Sequence, residues 1–104
     1  MQERRAAPRF RVDLHVRWET LKSQGTGEVS DLSASGCFVL TGGTALAGDL
    51  VRLQIISQQH IAQIWGHVIY TIAEMGFALH FAHDDKAGNK DLEHLLTDLP
   101  PIND

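Results

Sequence analysis

A cluster of arginines near the start of the chain is the feature with the clearest chemical meaning. Five of the six arginines lie within the first 17 residues, which carry a net charge of +3 because only Glu3 and Asp13 oppose them. Residues 18–104 carry −7, in a chain whose formal net charge is −4. A guanidinium group offers a planar fork of donors that matches phosphate and the edge of guanine. The pattern therefore indicates an anion-binding site. The candidate ligand-binding residues in the arm of residues 1–9 are Arg4, Arg5 and Arg9.

A second polar segment, Asp31-Leu-Ser33-Ala-Ser-Gly36, begins 22 residues after Arg9. Each group has an ordinary explanation when taken alone, because Asp, Ser and Gly are common turn residues and arginines often lie on solvated arms. Taken together they are more specific. An Arg-x-x-x-Arg spacing (Arg5 and Arg9) stands directly before a strand, and a turn with a carboxylate and a hydroxyl follows.

The composition limits the classes of protein to consider. A chain of 104 residues, 43% hydrophobic and 21% charged, is typical of one soluble globular domain. Its apolar runs fall short of the roughly 20 residues that a membrane helix needs, and no signal peptide opens it, so we expect a cytoplasmic protein without membrane insertion. The acidic balance argues against broad nucleic-acid binding. Cys37, the only cysteine, is expected to be buried and inert.

No pattern in the sequence indicates catalysis or a metal. The six histidines are scattered, without the i, i+4 pairing of a helical metal site, and no Ser/His/Asp set has a supporting arrangement. We therefore expect neither an enzyme nor a metal or cofactor.

The alternation of apolar and polar residues predicts six strands. Residues 10–18 alternate strictly, which places Phe10, Val16 and Trp18 on one face and is typical of a half-buried strand. Six short strands without interleaved helices indicate an all-β fold, a closed or nearly closed antiparallel barrel. The predicted segments are 10–18, a strand through Val29 after a turn at 22–27, 37–41, 50–57, 61–72 and 75–82.

The end of the chain predicts an amphipathic helix over about residues 86–99. Its leucines recur at i, i+3, i+4 and i+7, Asp84 or Asp85 can cap its start, and Pro100-Pro101 ends it. So short a helix is marginal alone, and its leucines must pack on the barrel or on another subunit.

The long strand 61–72 places Tyr70 on the inward phase, which predicts a core residue. The opposite phase carries Ile61, Trp65 and Ile69, an apolar stripe that the helix or a partner would cover. With the leucine helix, this stripe permits a homodimer.

These residues resemble the PilZ domain family. The resemblance is carried by Arg4-Arg5-Ala-Ala-Pro-Arg9 and the Asp31–Gly36 segment, and it continues through residues 48–53, 66–68 and 76–81. It implies a single PilZ-type domain, a six-stranded barrel over residues 10–104 with a C-terminal helix, that binds the bacterial second messenger cyclic di-GMP.

The resemblance also implies a role for each site residue. Arg5 and Arg9 would bind phosphates and the O6/N7 edge of guanine, and Asp31 would accept hydrogen bonds from guanine N–H groups. Ser33 would donate a hydrogen bond, and Gly36 would let the backbone approach the ligand. Arg4 holds a position that influences whether one ligand or an intercalated pair is bound, and here it favours the pair.

The prediction is therefore a cyclic di-GMP receptor that passes the signal to an unidentified downstream protein. Binding would fold the arginine arm against the Asp31–Gly36 segment and change the surface of the domain. One alternative is a PilZ-like module that only binds proteins. Another is a small barrel for single-stranded nucleic acid, which would need aromatic platforms on a basic face.

Overall fold

The computed structural model of the protein describes residues 9–58, 60–97 and 99. These residues form six strands and one helix, in an order that agrees with the alternation of the sequence. The elements are β1 (Arg9–Glu19), β2 (Gln24–Ser33), β3 (Gly36–Leu40), β4 (Leu50–Ile56), β5 (Ile61–Ile72), β6 (Gly76–Phe81) and α1 (Lys86–Thr97).

The strands close into one antiparallel barrel in the order β1-β2-β3-β6-β5-β4. This confirms the predicted all-β barrel with a C-terminal helix. Closure gives each strand two neighbours and so reduces the length of open sheet edge that another chain could extend.

The predicted turn at 22–27 is wrong at its second half. The turn closes earlier, since the Ser23 backbone N–H donates to Thr20 Oγ1 at 2.9 Å and the Thr20 N–H donates to the Ser23 carbonyl at 2.7 Å. Strand β2 can therefore begin at Gln24. It also continues past Val29 to Ser33, further than the sequence suggested.

The core lies inside the barrel, and its largest fully buried side chain is Trp18, which is 1% exposed. The inward face of β1 is as the alternation predicts, with Phe10, Val16 and Trp18 buried. The indole of Trp18 packs edge-on against Phe77, with ring centroids 5.3 Å apart, and its N–H donates to Thr41 Oγ1 at 3.2 Å. The one polar atom of this large side chain is thus satisfied inside the core.

A β-bulge in β5 reverses the predicted orientation of Tyr70. Val68 pairs with Leu79 and Tyr70 pairs with Ala78, so two steps along β5 match one step along β6. The extra residue, Ile69, shifts the side-chain phase, and Tyr70 is 51% exposed instead of lying in the core. The inward expectation for Tyr70 was therefore wrong.

Helix α1 packs on β5. Its leucines are therefore buried against the barrel, the first of the two expected possibilities. Leu92 and Leu95 are 1% and 2% exposed and belong to the barrel core. Of the stripe expected to need a cover, Ile61 (55%) and Ile69 (54%) stay exposed, and Trp65 is 38% exposed.

Asp85 is the residue that joins the helix to the strand. One carboxylate oxygen accepts a hydrogen bond from the Gly88 N–H at 3.0 Å, the pattern of an N-cap, and the other accepts from the Trp65 N–H at 3.0 Å. Strand β5 extends beyond β6 here, because β6 pairs with β5 only from Gly66 onward. Asp85 thus satisfies a strand N–H that β6 does not reach.

We predict that Asp85→Ala lowers the free energy of unfolding by about 1 kcal/mol, the usual effect of losing an N-cap. Urea unfolding followed by circular dichroism measures it. Asp84→Ala is the matched control, since Asp84 is the neighbouring exposed carboxylate. Equal stabilities of the two variants would contradict the role of Asp85.

Candidate functional site

The structure brings Arg9 and Asp31 together on the outside of the barrel. Arg9 is the first residue of β1, and its guanidinium donates a hydrogen bond to the Asp31 carboxylate in an exposed ion pair. The register explains the meeting, because Arg9 pairs with Ser33 and Arg11 pairs with Asp31. Side chains opposite or diagonal to each other in an antiparallel ladder share a face. Asp31 thus lies between two arginines, one of which the sequence analysis did not assign to the site.

The segment Asp31–Gly36 is mostly strand, where the sequence predicted a turn. Asp31 and Ser33 are the last part of β2, and only Ala34 and Ser35 separate β2 from β3. Ser33 Oγ accepts a hydrogen bond from the Ser35 N–H at 3.2 Å and lies 3.1 Å from Ser35 Oγ. These local hydrogen bonds fix the turn between β2 and β3 and hold its two hydroxyl groups next to each other.

Gly36 is required by the neighbouring strand. It pairs with His80 on β6, and a Cβ at Gly36 would lie 2.3 Å from the Leu79 carbonyl oxygen. The glycine therefore allows β3 and β6 to approach closely beside the site, a reason that the sequence analysis, which attributed it to the ligand, did not foresee.

A groove of about 240 Å³ runs from Arg9 across the strands to β5, and we call it the Arg9 groove. Its lining residues are Arg9, Asp31, Ser33, Ser35, Gly36, Cys37, Phe38, Ile69, Tyr70, Ala78, Leu79 and His80. Four predicted site residues, Arg9, Asp31, Ser33 and Gly36, line it together. Arg4 and Arg5 lie outside the described residues.

The far wall of the groove was missed by the sequence analysis. Phe38 and Tyr70 both pair with Ala78, and their rings lie 6.4 Å apart above that small side chain. His80 follows on the same face of β6, between buried Leu79 and Phe81. The alternation of residues 77–81 could have placed Ala78 and His80 outside, but only the bulge at Ile69 brings Tyr70 to this wall.

Cys37 lines the groove without being a good nucleophile. The residue as a whole is half-buried, but its side chain packs against the barrel core and its thiol is desolvated, as expected of a buried thiol. That desolvation raises the pKa of the Cys37 thiol well above its ordinary value, and the Asp31 carboxylate raises it further. The sulfur therefore stays a protonated thiol at neutral pH, as the expectation of an inert cysteine requires.

The charged groups in and beside the Arg9 groove are suited to binding an anion. A depression of about 400 Å³ adjoins it, lined by Arg9, Arg11, Ser30 and Asp31, so two guanidinium groups face one carboxylate. This excess of positive charge attracts an anion, while the carboxylate can accept hydrogen bonds from N–H groups of the same ligand. Within the part of the chain that the structure describes, no cluster of three or more His, Cys, Asp or Glu could hold a metal ion.

A second outer groove, of about 550 Å³, lies near the opposite end of β1. It includes Arg17 and an exposed ion pair in which Arg52 donates to the Glu19 carboxylate at 2.5 Å. None of the predicted site residues lines this second groove. It offers a useful internal comparison, because it has the same charged groups without the Ser33–Gly36 turn or the aromatic wall.

The family of the chain follows from its sequence as a whole. The model of the PilZ domain matches residues 3–98, which is most of the chain and includes both polar segments. The chain belongs to the PilZ domain family. A search of curated proteins found no match.

Solved structures share the fold at low sequence identity. The PilZ domain of YcgR from Escherichia coli, described with c-di-GMP, matches with a TM-score of 0.74 and 14% identity, covering 93% of this chain and 92% of that one. The Bacillus subtilis inhibitor of motility MotI/DgrA matches with a TM-score of 0.65 and 18% identity over 93% of this chain and 54% of that one. MrkH of K. pneumonia, described as a c-di-GMP complex, gives 0.65 and 20% over 93% and 52%. This PilZ chain thus spans about half the length of the last two.

Among the residues that the structure describes, no helix is both long enough and apolar enough to cross a bilayer.

Proposed function

We propose that this PilZ domain is a receptor for cyclic di-GMP and binds it in the Arg9 groove. The observation that carries the proposal is the meeting of Arg9, Asp31, Ser33 and Gly36 in one groove, although 22 residues separate the first two. The two PilZ-like structures described with c-di-GMP support the ligand.

In this proposal the Arg9–Asp31 ion pair is the part of the site that the ligand rearranges. The two side chains are 53% and 40% exposed, so opening their ion pair costs about 1 kcal/mol or less. Arg9 then turns to phosphate or to the O6/N7 edge of guanine, and a bidentate contact with that edge gives about 1–3 kcal/mol of discrimination against another base. Asp31 accepts from guanine N1–H and N2–H, a donor pair that adenine lacks, and Ser33 donates its hydroxyl.

The arginine arm completes the site in this account. Arg5, four residues before Arg9, supplies the second guanidinium of the clamp, and Arg4 favours an intercalated pair of ligands over a single one. The ligand phosphates neutralise the repulsion among these arginines, and the residues before Arg9 fold over the groove. Arg9 is the anchor of this movement, because it is already part of β1.

The output of the receptor is a protein contact. Folding of the arm changes the surface around the groove, and a downstream protein in the cytoplasm reads that change. A homodimer through the exposed stripe of Ile61 and Ile69 is compatible with this output, and no bond chemistry is needed, so the domain acts without enzymatic activity or a cofactor.

A titration that sets cyclic di-GMP beside a short single-stranded oligonucleotide tests the proposal against its two alternatives. The receptor proposal predicts saturable calorimetric heat with cyclic di-GMP and none with the oligonucleotide. The opposite result favours the nucleic-acid barrel. Absence of binding heat with both ligands favours a PilZ module that only binds proteins.

A further inference from the structure

His80 lies at the far end of a row of residues that begins at Arg9. Arg9 pairs with Ser33 across β1 and β2, Ser33 and Gly36 flank the two-residue turn, and Gly36 pairs with His80 across β3 and β6. Arg9 and His80 are exposed, and all four residues line the Arg9 groove. The row therefore crosses four strands on one outer face.

The length of this row fits a ligand larger than one base. Neighbouring strands lie about 4.8 Å apart, so the row measures about 14 Å along the surface from Arg9 to His80. A guanine bound at Asp31 covers only the β1–β2 end. The second nucleotide and the phosphates of a cyclic dinucleotide then extend over the turn towards β6.

Gly36 is the residue between Ser33 and His80 in the row, and it has no side chain that would stand between the ligand and the imidazole. The residues before and after His80 are buried, with Leu79 1% and Phe81 3% exposed, so its imidazole is the side chain that β6 presents here. An imidazole N–H is a donor suited to a phosphate oxygen or a guanine acceptor.

We infer that His80 is a ligand-binding residue of this PilZ domain, which donates a hydrogen bond to the part of cyclic di-GMP that lies beyond the guanine at Asp31. The inference rests on the proposed receptor function. It makes the site continuous from β1 to β6 and gives it a contact that a single guanine base at Asp31 does not reach.

His67 provides the matched control. It is the cross-strand partner of His80 on β5, it is exposed, and it does not line the Arg9 groove. We expect His80→Ala to weaken cyclic di-GMP binding about tenfold in calorimetry, the lower end of the effect of losing one hydrogen bond to a charged acceptor. His67→Ala is expected to bind like the wild type, and His80→Gln, which keeps an N–H donor, to recover part of the affinity.

A second readout separates direct contact from a change of fold. In imidazole ¹H–¹³C spectra, the signal absent from His80→Ala is expected to shift on titration of the wild type with cyclic di-GMP, and to shift more than the His67 signal. Wild-type affinity in His80→Ala, or equal losses in both variants, would overturn the inference and leave the receptor function standing. Absence of binding by the wild type would overturn both.

Discussion

Asp31→Ala and Arg9→Ala are each expected to weaken cyclic di-GMP binding about 100-fold in calorimetry while leaving the barrel folded. Each variant removes a charged hydrogen-bonding partner of the ligand, and a contact of that kind is worth about 1.5–3 kcal/mol. The fold should tolerate both changes, because the ion pair between these residues is exposed and contributes about 1 kcal/mol or less to stability.

Another exposed ion pair of the barrel, between Glu19 and Arg52, supplies the control for this prediction. Glu19→Ala and Arg52→Ala make the same changes of charge as Asp31→Ala and Arg9→Ala, and the Glu19 and Arg52 side chains are 49% and 40% exposed. They lie in the other groove, away from the predicted site residues. We expect both controls to bind cyclic di-GMP like the wild type. Unchanged affinity in both Asp31→Ala and Arg9→Ala would contradict the site assignment.

Gly36→Ala is expected to lower the free energy of unfolding by about 3 kcal/mol, the upper end for overpacking, in addition to impairing binding. The new Cβ would meet the Leu79 carbonyl oxygen at 2.3 Å, and a backbone atom cannot move aside as a flexible side chain can. Strands β3 and β6 must separate beside the groove. Thermal unfolding measures the effect, at about 4–8 °C per kcal/mol for a domain of this size.

Gly42→Ala is the matched control, because a Cβ at Gly42 would meet nothing within 4 Å. We expect its stability to stay within about 0.5 kcal/mol of the wild type. If Gly36→Ala lost affinity at unchanged melting temperature, the glycine would serve the ligand alone, as the sequence-based interpretation held, and the contact with β6 would not be limiting.

The sequence predicted the parts of the fold that depend on regular alternation. Residues 10–18 alternate without interruption, so the inward face of β1 was correctly assigned, and the 61–72 strand was correct in its bounds. The sequence left two candidates, Asp84 and Asp85, for the N-cap of α1. Asp85 also accepts a hydrogen bond from the Trp65 N–H on β5, and local sequence does not encode that contact.

The bulge in β5 and the pairing of distant strands could not be predicted from the sequence. A bulge adds one residue without a distinctive motif, and the one at Ile69 moved Tyr70 from the predicted core to the wall of the groove. The reason for Gly36 and the place of His80 depend on which strand lies beside β3. That strand, β6, is about 40 residues away in the chain, so local patterns carry no sign of it.

Mapping backbone amide shifts in ¹H–¹⁵N spectra during titration with cyclic di-GMP reports both whether the domain binds the ligand and where. We expect saturable shifts at Arg9, Asp31, Ser33 and Gly36, with Arg52 unaffected. The absence of saturable shifts, or shifts confined to the groove of Arg17 and Arg52, would contradict binding in the Arg9 groove.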